Sequence, residues 1–526
     1  MTDNEFKKIF PFTTPRNGQR ELIEKIINTF NSGKKHIILN APTGWGKSVI
    51  AYSIISYYNN GYILTSQKCL QEQYHRDLDI PYILGKANYK CKENSSLTCA
   101  MGMCKGIYAN GCKLNCTYRV YKDRAFDSSI MNMNYNYFLS INSSTTSETG
   151  MEASIPHRNL MVLDECHNLE NELIKKCSLQ LSDTFLYELG IQEHIPDVSE
   201  SEDNMFIWLF NTIRPRLLEQ YLYYRNLIRQ YNVFRMSREF KKAAYKLDAI
   251  TKTLSLIDEI NLQRKEGQKI IINFSNEKLE FKLLYANRLF NTYISTVCDK
   301  FLHMSATILD KSDYCRNLGI NESDAEYISA DAIFPKENRL IHYTPIGSLT
   351  YNNKQQTMPK LIEQISILLK KYSNCRGIIH TGNYQIAEAI INSLYYTDEG
   401  KRLIMPRGND RQNILNKFYE SNAPYVLISP SLTEGLDLKD DLSRFCIICK
   451  VPYMSLGDIW VKTRMEENNR WYLINTAQTI VQMTGRSIRS EEDYCDTYIL
   501  DSNFIDFAKR AMNILPNWWK ESVMIN

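Results

Sequence analysis

One short segment of the 526-residue chain, Asn40 to Val49, restricts the fold more than any other. It reads NAPTGWGKSV and lies between an apolar run typical of a strand, His36–Asn40, and a segment with apolar residues at helical spacing. A glycine-containing loop that joins a strand to a helix start presents backbone N–H groups and the positive end of the helix dipole to an anion. The segment therefore predicts a phosphate-binding loop in an α/β domain.

Four residues of this loop have expected roles in nucleotide binding. Gly44 and Gly46 let the backbone approach the phosphates closely. Lys47 is expected to reach the β- and γ-phosphates, and Ser48 to bind Mg²⁺. The loop has two unusual features, because Ala41 stands in place of the usual first glycine and a tryptophan, Trp45, lies inside the loop.

A second apolar run, Leu160–Leu163, ends in an acidic pair. Asp164 is expected to hold Mg²⁺ through water, and Glu165 to polarise the attacking water. His167 is assigned to sensing the γ-phosphate or to coupling with a neighbouring motif. The acidic pair and the loop together predict a site that hydrolyses a nucleoside triphosphate.

The length, composition and net charge of the chain limit the class of protein. The length favours two to four domains, and an apolar fraction of 44% is enough for real cores. A net charge of +4 restricts any nucleic-acid surface to a local patch. The sequence has no apolar run long enough to cross a membrane, and its start, MTDNEFKKIF, lacks a signal-peptide core. We therefore expect a soluble cytoplasmic protein without a membrane partner, and the Asn-, Ile-, Lys- and Tyr-rich texture suggests an AT-rich bacterial, phage or viral genome.

Six further segments accompany the loop and the acidic pair. They are FPFTTPRNGQRELIEKI before the loop, YILTSQKCLQEQY from Tyr62, HMSATI from His303, GIIHTGNY from Gly377, the stretch from Leu427 to Tyr453, and QMTGRSIRSEED from Gln482. In this order they resemble the motifs of superfamily 2 helicases.

The resemblance implies roles for residues in each segment. These roles are adenine recognition for Arg16 and Gln19, DNA-backbone contact for Thr65 and Ser66, coupling of hydrolysis to movement for Ser305 and Thr307, and proximity to nucleotide and DNA for Glu434, Gly435 and Asp437. Gln482, Arg486 and Arg489 have the i, i+4, i+7 spacing of one helix face. There the two guanidiniums would clamp the γ-phosphate, and the alternative is a solvated basic helix face.

Five of the fourteen cysteines crowd between Cys91 and Cys116. The other nine are interpreted as buried small side chains: Cys69, Cys166, Cys177, Cys298, Cys315, Cys375, Cys446, Cys449 and Cys495. The crowded segment, with its GKANYKC lead and its CTYRVYKDRAF run, resembles the cluster domain of the iron–sulfur helicases that include XPD and DinG. The resemblance implies a [4Fe–4S] cluster on Cys91, Cys104, Cys112 and Cys116, with Cys99 as the spare thiol or the alternative ligand. A zinc site or no metal remains the alternative, although the spacings of these five cysteines are not the paired Cys-x-x-Cys of a common zinc ribbon.

The resemblance also implies the domain organisation. We expect an α/β fold with two RecA-like parallel-sheet domains, the first formed by residues 1–87, 120–180 and 291–312 and the second by residues 313–526. Residues 88–119 would form the iron–sulfur domain, and residues 181–290 a helical insertion that resembles the Arch of this family. Two long amphipathic segments and a strand-like alternation near residue 270 lie in this insertion.

The expected function is that of an ATP-dependent DNA helicase which moves 5′→3′, with ATP, Mg²⁺ and a [4Fe–4S] cluster as cofactors. Its partners would be single-stranded and forked DNA, and it would act mainly as a monomer with possible replication or repair proteins. Three alternatives stay open: a translocase that remodels protein–DNA complexes without unwinding, an RNA or hybrid helicase, and a non-motor scaffold subunit. Intact Lys47, Glu165 and Arg489 argue against the scaffold.

Overall fold

The computed structural model describes residues 1–102, 116–142, 155–197, 201–230, 237–275, 277–430, 432, 438, 440–485, 488 and 492–525. Their strands are β1 (His36–Asn40), β2 (Gly61–Thr65), β3 (Tyr82–Ile83), β4 (Ile130–Asn134), β5 (Arg158–Asp164), β6 (Leu179–Leu181), β7 (Ile270–Ser275), β8 (Lys278–Leu283), β9 (Cys298–Ser305), β10 (Ala325–Ser329), β11 (Ile341–Gly347), β12 (Gly377–His380), β13 (Leu403–Ile404), β14 (Val426–Ser429), β15 (Phe445–Ile448), β16 (Asp496–Asp501) and β17 (Val523–Ile525).

The α-helices are α1 (Asp3–Ile9), α2 (Gln19–Asn31), α3 (Lys47–Tyr57), α4 (Lys68–Leu78), α5 (Thr117–Asp127), α6 (Tyr135–Asn142), α7 (Leu169–Lys176), α8 (Asp183–Glu188), α9 (Glu202–Ile207), α10 (Arg214–Gln230), α11 (Ser237–Lys265), α12 (Leu289–Tyr293), α13 (Lys311–Leu318), α14 (Lys354–Lys371), α15 (Tyr384–Leu394), α16 (Arg411–Glu420), α17 (Ile459–Glu467), α18 (Asn469–Thr484), α19 (Phe504–Arg510) and α20 (Asn517–Lys520). A π-helical stretch, Trp208–Ile213, joins α9 to α10. None of the helices in the described part of the chain has both the length and the apolar character needed to cross a bilayer.

The first sheet has the strand order β10-β1-β9-β5-β2-β4-β3, and its paired strands are parallel. Its central strands are buried on both faces, as apolar runs in a helix-covered parallel sheet should be. Ile37 packs into one core and its neighbour Ile38 into the core on the opposite face, because successive strand side chains alternate.

The boundary predicted at 312/313 is wrong, because β10 pairs along its whole length with β1. Residues up to Ser329 therefore belong to the first sheet. The physical reason is register: the apolar run at Ala325–Ser329 finds its partner in a strand almost 300 residues earlier in the chain, which local patterning does not reveal.

The second sheet has the order β13-β14-β12-β15-β16-β11-β17 and is also parallel. Ile378 and Ile379 of β12 again point into opposite cores. The fold class predicted from the sequence, two parallel-sheet α/β domains, is confirmed.

The insertion expected at 181–290 contains the long helices α10 and α11, but it is not wholly helical. A three-stranded antiparallel sheet, β6-β8-β7, accompanies the helices and begins at Leu179. The cysteine-rich segment rests on this insertion, since Cys91 and Leu97 share a small core with Ile228 of α10 and Phe240 of α11.

Arg158 links the amino-terminal ends of several first-sheet elements. Its guanidinium lies over the Tyr62 ring and donates to the carbonyls of Gly61 (2.9 Å), Ser129 (3.0 Å) and Phe126 (3.0 Å). We predict that Arg158→Met lowers the free energy of unfolding by about 3 kcal/mol, because buried carbonyls lose their donors. Urea unfolding of the two proteins measures the change.

The matched control is Arg124→Met on the exposed face of α5. It should change the free energy of unfolding by less than about 0.5 kcal/mol. Equal effects from the two substitutions would contradict the structural role given to Arg158.

Candidate functional site

The phosphate loop and the acidic pair meet at one edge of the first sheet. The loop follows β1 and the acidic pair ends β5, with β9 between them. Because the strands are parallel, their carboxyl ends lie side by side, and the Ala41 N–H donates to the Ser305 carbonyl at 2.9 Å. Burial raises the pKa of Asp164, and the charge of Lys47 is close enough to oppose that rise. The sequence-predicted residues of this edge are therefore brought together.

The loop has the backbone conformation that its glycines allow. Gly44 and Gly46 have φ of 100° and 66°, and α3 begins at the next residue, Lys47. A Cβ on Gly44 would lie 2.3 Å from the Phe334 ring, so a larger residue has no room there. The Lys47 ammonium donates to the Ala41 carbonyl at 3.1 Å, across the interior of the loop.

The loop is held by hydrogen bonds to three residues outside it, Arg16, Gln19 and Asp331. The Arg16 guanidinium donates to the Gly44 carbonyl, and the Gln19 amide donates to the Trp45 carbonyl at 3.0 Å. The Trp45 indole N–H donates to the Asp331 carbonyl at 2.7 Å. The tryptophan that looked out of place in the sequence therefore anchors the loop, and Arg16 and Gln19 hold its backbone. Adenine recognition by those two residues remains a prediction.

Asp164 is buried and held by groups that the sequence did not reveal. The Tyr74 hydroxyl and the Glu165 N–H each donate to its carboxylate at 3.0 Å, and the Tyr135 hydroxyl donates to its backbone carbonyl at 2.9 Å. Burial raises the pKa of Asp164 to about 6, and Glu165 adds to the rise, while Lys47 opposes it. Tyr74 lies in a segment singled out above, but neither its position nor that of Tyr135 in the sequence gives a sign of the partner of its hydroxyl.

Glu165 begins a hydrogen-bonded path that leads away from the phosphate loop. Its backbone is in the left-handed region with φ of 50°, and a carboxylate oxygen lies 3.3 Å from His167 Nδ1. The same Nδ1 is 2.8 Å from Ser305 Oγ, and Nε2 is 2.7 Å from the Gln482 amide nitrogen. With the amide as donor, Nε2 is the acceptor and the ring proton is on Nδ1, facing Glu165 and Ser305.

The path ends on a helix of the second sheet's domain. Gln482 also donates to Thr307 Oγ1 at 3.2 Å, and Gln478 donates to the Thr307 carbonyl at 2.9 Å. The carbonyl of Gly485 lies 3.5 Å from the hydroxyl of Thr43 in the phosphate loop. The coupling residues predicted from three separate motifs therefore form one network between the two sheets.

Helix α18, which carries Gln482, ends at Thr484 before a glycine, and the helix face that Gln482 is expected to share with Arg486 and Arg489 stays a prediction. Several predicted residues lie outside the described part of the chain: Arg486, Arg489, Glu434, Gly435, Asp437, Cys104 and Cys112.

The two residues predicted to touch DNA differ in exposure. Thr65 is fully buried at the end of β2, and its hydroxyl donates to the Gln67 carbonyl at 3.3 Å. A side-chain contact from Thr65 to DNA is therefore wrong for this conformation. Ser66, the next residue, is only partly buried as a whole, although its hydroxyl oxygen is buried.

Three of the five crowded cysteines are described, and they are neighbours. Burial raises the pKa of the Cys99 thiol to about 11, and the adjacent thiols of Cys116 and Cys91 add to the rise. Within the described residues, no group of three or more His, Cys, Asp or Glu side chains is arranged to hold a metal ion. Soft thiolates in this setting fit an iron–sulfur cluster chemically, and the proximity of Cys99 to Cys91 and Cys116 makes it a candidate ligand alongside Cys104 and Cys112, which lie outside the described residues.

The buried Asp164 leads to a pH-dependent prediction for the metal-free protein. The pKa of Asp164 in the folded protein lies above the ordinary value of 3.8, so the folded protein holds this proton more tightly than the unfolded chain does. Protonation of Asp164 therefore contributes its full share to the free energy of unfolding below pH 3.8, and this contribution is lost as the pH rises through about 6. Asp164→Asn should therefore raise the free energy of unfolding by about 2 to 3 kcal/mol at pH 8 in EDTA, with a smaller gain at pH 5. Urea unfolding at both pH values measures the two gains.

The control for this prediction is Asp79→Asn. Asp79 is an exposed carboxylate at the end of α4, and asparagine tolerates the left-handed backbone of this position. Its stability should be unchanged at both pH values. A loss of stability in Asp164→Asn at pH 8 would refute the electrostatic strain assigned to Asp164.

Comparison with known proteins extends these observations. A family model described as the helicase C-terminal domain matches residues 368–522, and one described as the res subunit of type III restriction enzymes matches residues 12–190. The chain is 20% identical to a probable ATP-dependent helicase of Methanocaldococcus jannaschii, over 96% of this chain and 94% of that protein. It is also 20% identical to the ATP-dependent DNA helicase YoaA of Haemophilus influenzae, over 96% of this chain and 93% of that protein.

Solved structures show the same fold. A structure described as an XPD helicase aligns with a TM-score of 0.65 at 16% identity and covers 98% of this chain and 100% of its own. Xpd4 of S. tokodaii aligns with a TM-score of 0.59 at 16% identity, over 97% of this chain and 100% of its own. The matches to these two family models and to helicases over nearly the full length of the chain support an XPD/DinG-like helicase of superfamily 2.

Proposed function

We propose that this protein is an ATP-dependent DNA helicase that moves 5′→3′ on single-stranded DNA and separates duplex strands. The observation that carries the proposal is the hydrogen-bonded path from Glu165 through His167 to Gln482. It joins the acidic pair of one sheet to a helix of the other, which is what a motor driven by hydrolysis between two domains requires.

The chain's own residues divide the chemistry of hydrolysis. Lys47 and the loop N–H groups bind the β- and γ-phosphates, and Glu165 orients the attacking water. Ser48 and Asp164 would hold Mg²⁺, which when bound neutralises charge on the phosphates. Arg486 and Arg489 follow Gly485, which touches the phosphate loop, and would complete the site from the second domain.

The movement would follow from the same network. His167, Ser305 and Thr307 sense the state of Glu165 and pass it to Gln482, so that hydrolysis releases the contact between the domains. Each cycle would displace single-stranded DNA across both domains, with Ser66 near the strand.

The DNA strand would pass between the cysteine-rich domain and the insertion. These two parts touch through Cys91, Leu97 and Phe240, so they can enclose an opening. Tyr223 of α10 and Tyr245 of α11 are exposed and offer stacking surfaces that accept any base. The cysteine-rich domain would act as the wedge that splits the duplex.

A [4Fe–4S] cluster would be held by thiolates of the cysteine-rich domain and would fix its shape. Cys91 and Cys116 are assigned as ligands, with two more drawn from Cys99, Cys104 and Cys112. Zinc at the same cysteines is the alternative, and it is distinguished by colour and metal content.

Hydrolysis and polarity are tested on the purified protein with forked DNA. Lys47→Ala and Glu165→Gln should each lower kcat for ATP by about 10²- to 10⁴-fold, because one loses a phosphate contact and the other the group that orients water. Duplexes with a 5′ tail should be separated and those with a 3′ tail should not. Lys25→Ala, on the exposed face of α2, serves as the control with normal kcat.

The alternatives correspond to other results of this assay. ATP hydrolysis stimulated by DNA without strand separation would identify a translocase, and separation of RNA or hybrid duplexes in preference to DNA would identify the RNA alternative. Absence of hydrolysis in the unaltered protein would refute the motor.

The cluster is tested by absorption and metal analysis of anaerobically purified protein. We predict a brown protein with about four irons per chain, and loss of colour in Cys116→Ser and Cys99→Ser. The interpretation of Cys69 as a buried side chain is wrong, because it is exposed on α4; Cys69→Ser should keep the colour. Colourless protein with zinc, or a Cys99→Ser variant with full iron content, would overturn the corresponding assignment.

A further inference from the structure

Helix α17 belongs to the second domain by chain order but packs on the first. In the chain, α17 follows β15 and precedes β16, and these two strands are neighbours in the second sheet. Its residues Trp460 and Val461 nevertheless belong to the same buried core as Leu169 and Leu173 of α7 in the first domain. A helix of the second domain therefore contributes side chains to the core of the first domain.

The contact is organised by Arg464, whose side chain is fully buried. Its guanidinium donates to the Glu170 carboxylate of α7, to the Leu284 carbonyl, and to Asn317 of α13 at 3.1 Å. The faces of the guanidinium are covered by Tyr285 at 4.3 Å and Trp471 at 5.0 Å. The planar guanidinium has several N–H donors in a fixed arrangement that matches these three acceptors, and the single ammonium of a lysine cannot reproduce this arrangement.

The same helix touches the strands through which the insertion returns to the first domain. The Trp460 indole N–H donates to the Leu283 carbonyl at 2.7 Å, and Lys282 lies 3.8 Å from the Trp460 ring centroid. At the other end of α17, Glu467 pairs with Lys269 at 2.6 Å and accepts from the Tyr285 hydroxyl. Contacts along α17 therefore hold both strands of the β7–β8 hairpin at its open end.

Helix α17 is also continuous with the catalytic network. Asn468 ends α17 and caps α18, whose first turn packs in the first-domain core and whose later residues pack in the second. Gln482 lies in the last turn of α18, and Glu170 lies five positions beyond Glu165. One helical segment thus connects the acidic pair, the second domain and the base of the insertion.

We propose that α17 transmits movement of the second domain to the insertion, and that Arg464 is the positioning residue of this connection. The inference rests on the proposed function, since it concerns what ATP binding does to the rest of the motor. Because the connection is buried and bonded to both neighbours, it moves as a unit when the domains close, and the β7–β8 hairpin moves with it. Arg464 acts through Glu170, Leu284, Asn317 and Trp471 of α18.

The test measures hydrogen–deuterium exchange with and without Mg²⁺ and a non-hydrolysable ATP analogue. In the unaltered protein, the analogue should slow exchange in the phosphate loop and also change exchange in residues 269–285. Trp460→Phe removes the bond to Leu283 while keeping an aromatic ring, and Glu467→Gln weakens the outer pair without disturbing the core. Both should keep the response of the loop and reduce the response of residues 269–285 about fivefold. Arg464→Lys should reduce it about tenfold.

Glu466→Gln is the matched control, because this exposed neighbour on α17 pairs only weakly with Lys462, at 3.9 Å. It should respond like the unaltered protein. Strand separation per ATP hydrolysed gives a second readout, which should fall in Trp460→Phe and Glu467→Gln while basal hydrolysis stays within about twofold. A merely structural role would lower hydrolysis and thermal stability together and leave this ratio unchanged.

The outcomes separate the inference from the proposed function. If the loop responds to the analogue and residues 269–285 do not, the transmission is refuted while ATP binding stands. If the three variants keep the full remote response, Arg464 and α17 have no such role. If the loop itself shows no response in the unaltered protein, the proposed ATP site fails and the transmission fails with it.

Discussion

The parallel pairing of β1, β9 and β5 is the constraint on which the rest of the structure depends. Parallel strands end at a common edge, so the phosphate loop, Ser305 and the acidic pair meet there although they are far apart in the chain. A shift of one residue in either pairing would turn the side chains of a strand to the opposite face and separate these groups. The loop glycines, the Trp45 anchor and the two tyrosines on Asp164 stabilise a geometry that the sheet has already set.

The charges at this edge are arranged for a ligand. Asp164 is buried beside Glu165, and burial holds its pKa near 6. Such a carboxylate opposes folding of the metal-free protein, and a cation or Lys47 relieves that cost. The cost of burying this carboxylate and its attraction for a cation therefore have the same physical origin. The left-handed backbone of Glu165 is a further local strain, which persists because strand β5 and the following helix fix it.

The two domains are joined by more than their active-site contacts. Helix α18 contributes its first turn to one core and the remainder to another, and α17 inserts Arg464 into the first domain. Buried ion pairs add little net stability when compared with apolar packing, but removing one partner leaves the other charged and unpaired. The pair of Arg464 and Glu170 therefore fixes the position of α17 on the first domain. This role explains why a guanidinium lies among the rings of Trp460, Trp471 and Tyr285.

The sequence by itself determined the strand–loop–helix unit at Asn40–Val49, the acidic pair at the end of a buried strand, the two α/β domains and the resemblance to superfamily 2 helicases. These features depend on local chemistry: the glycine conformations, the alternation of apolar residues and the short spacing of functional groups. Only the tertiary structure decided that β10 completes the first sheet, that Tyr74 and Tyr135 hold Asp164, that Thr65 is buried, and that Arg464 faces Glu170. Each of these is a pairing of groups distant in the chain, and no local pattern records which distant partner a strand, a hydroxyl or a guanidinium will find once the cores have packed.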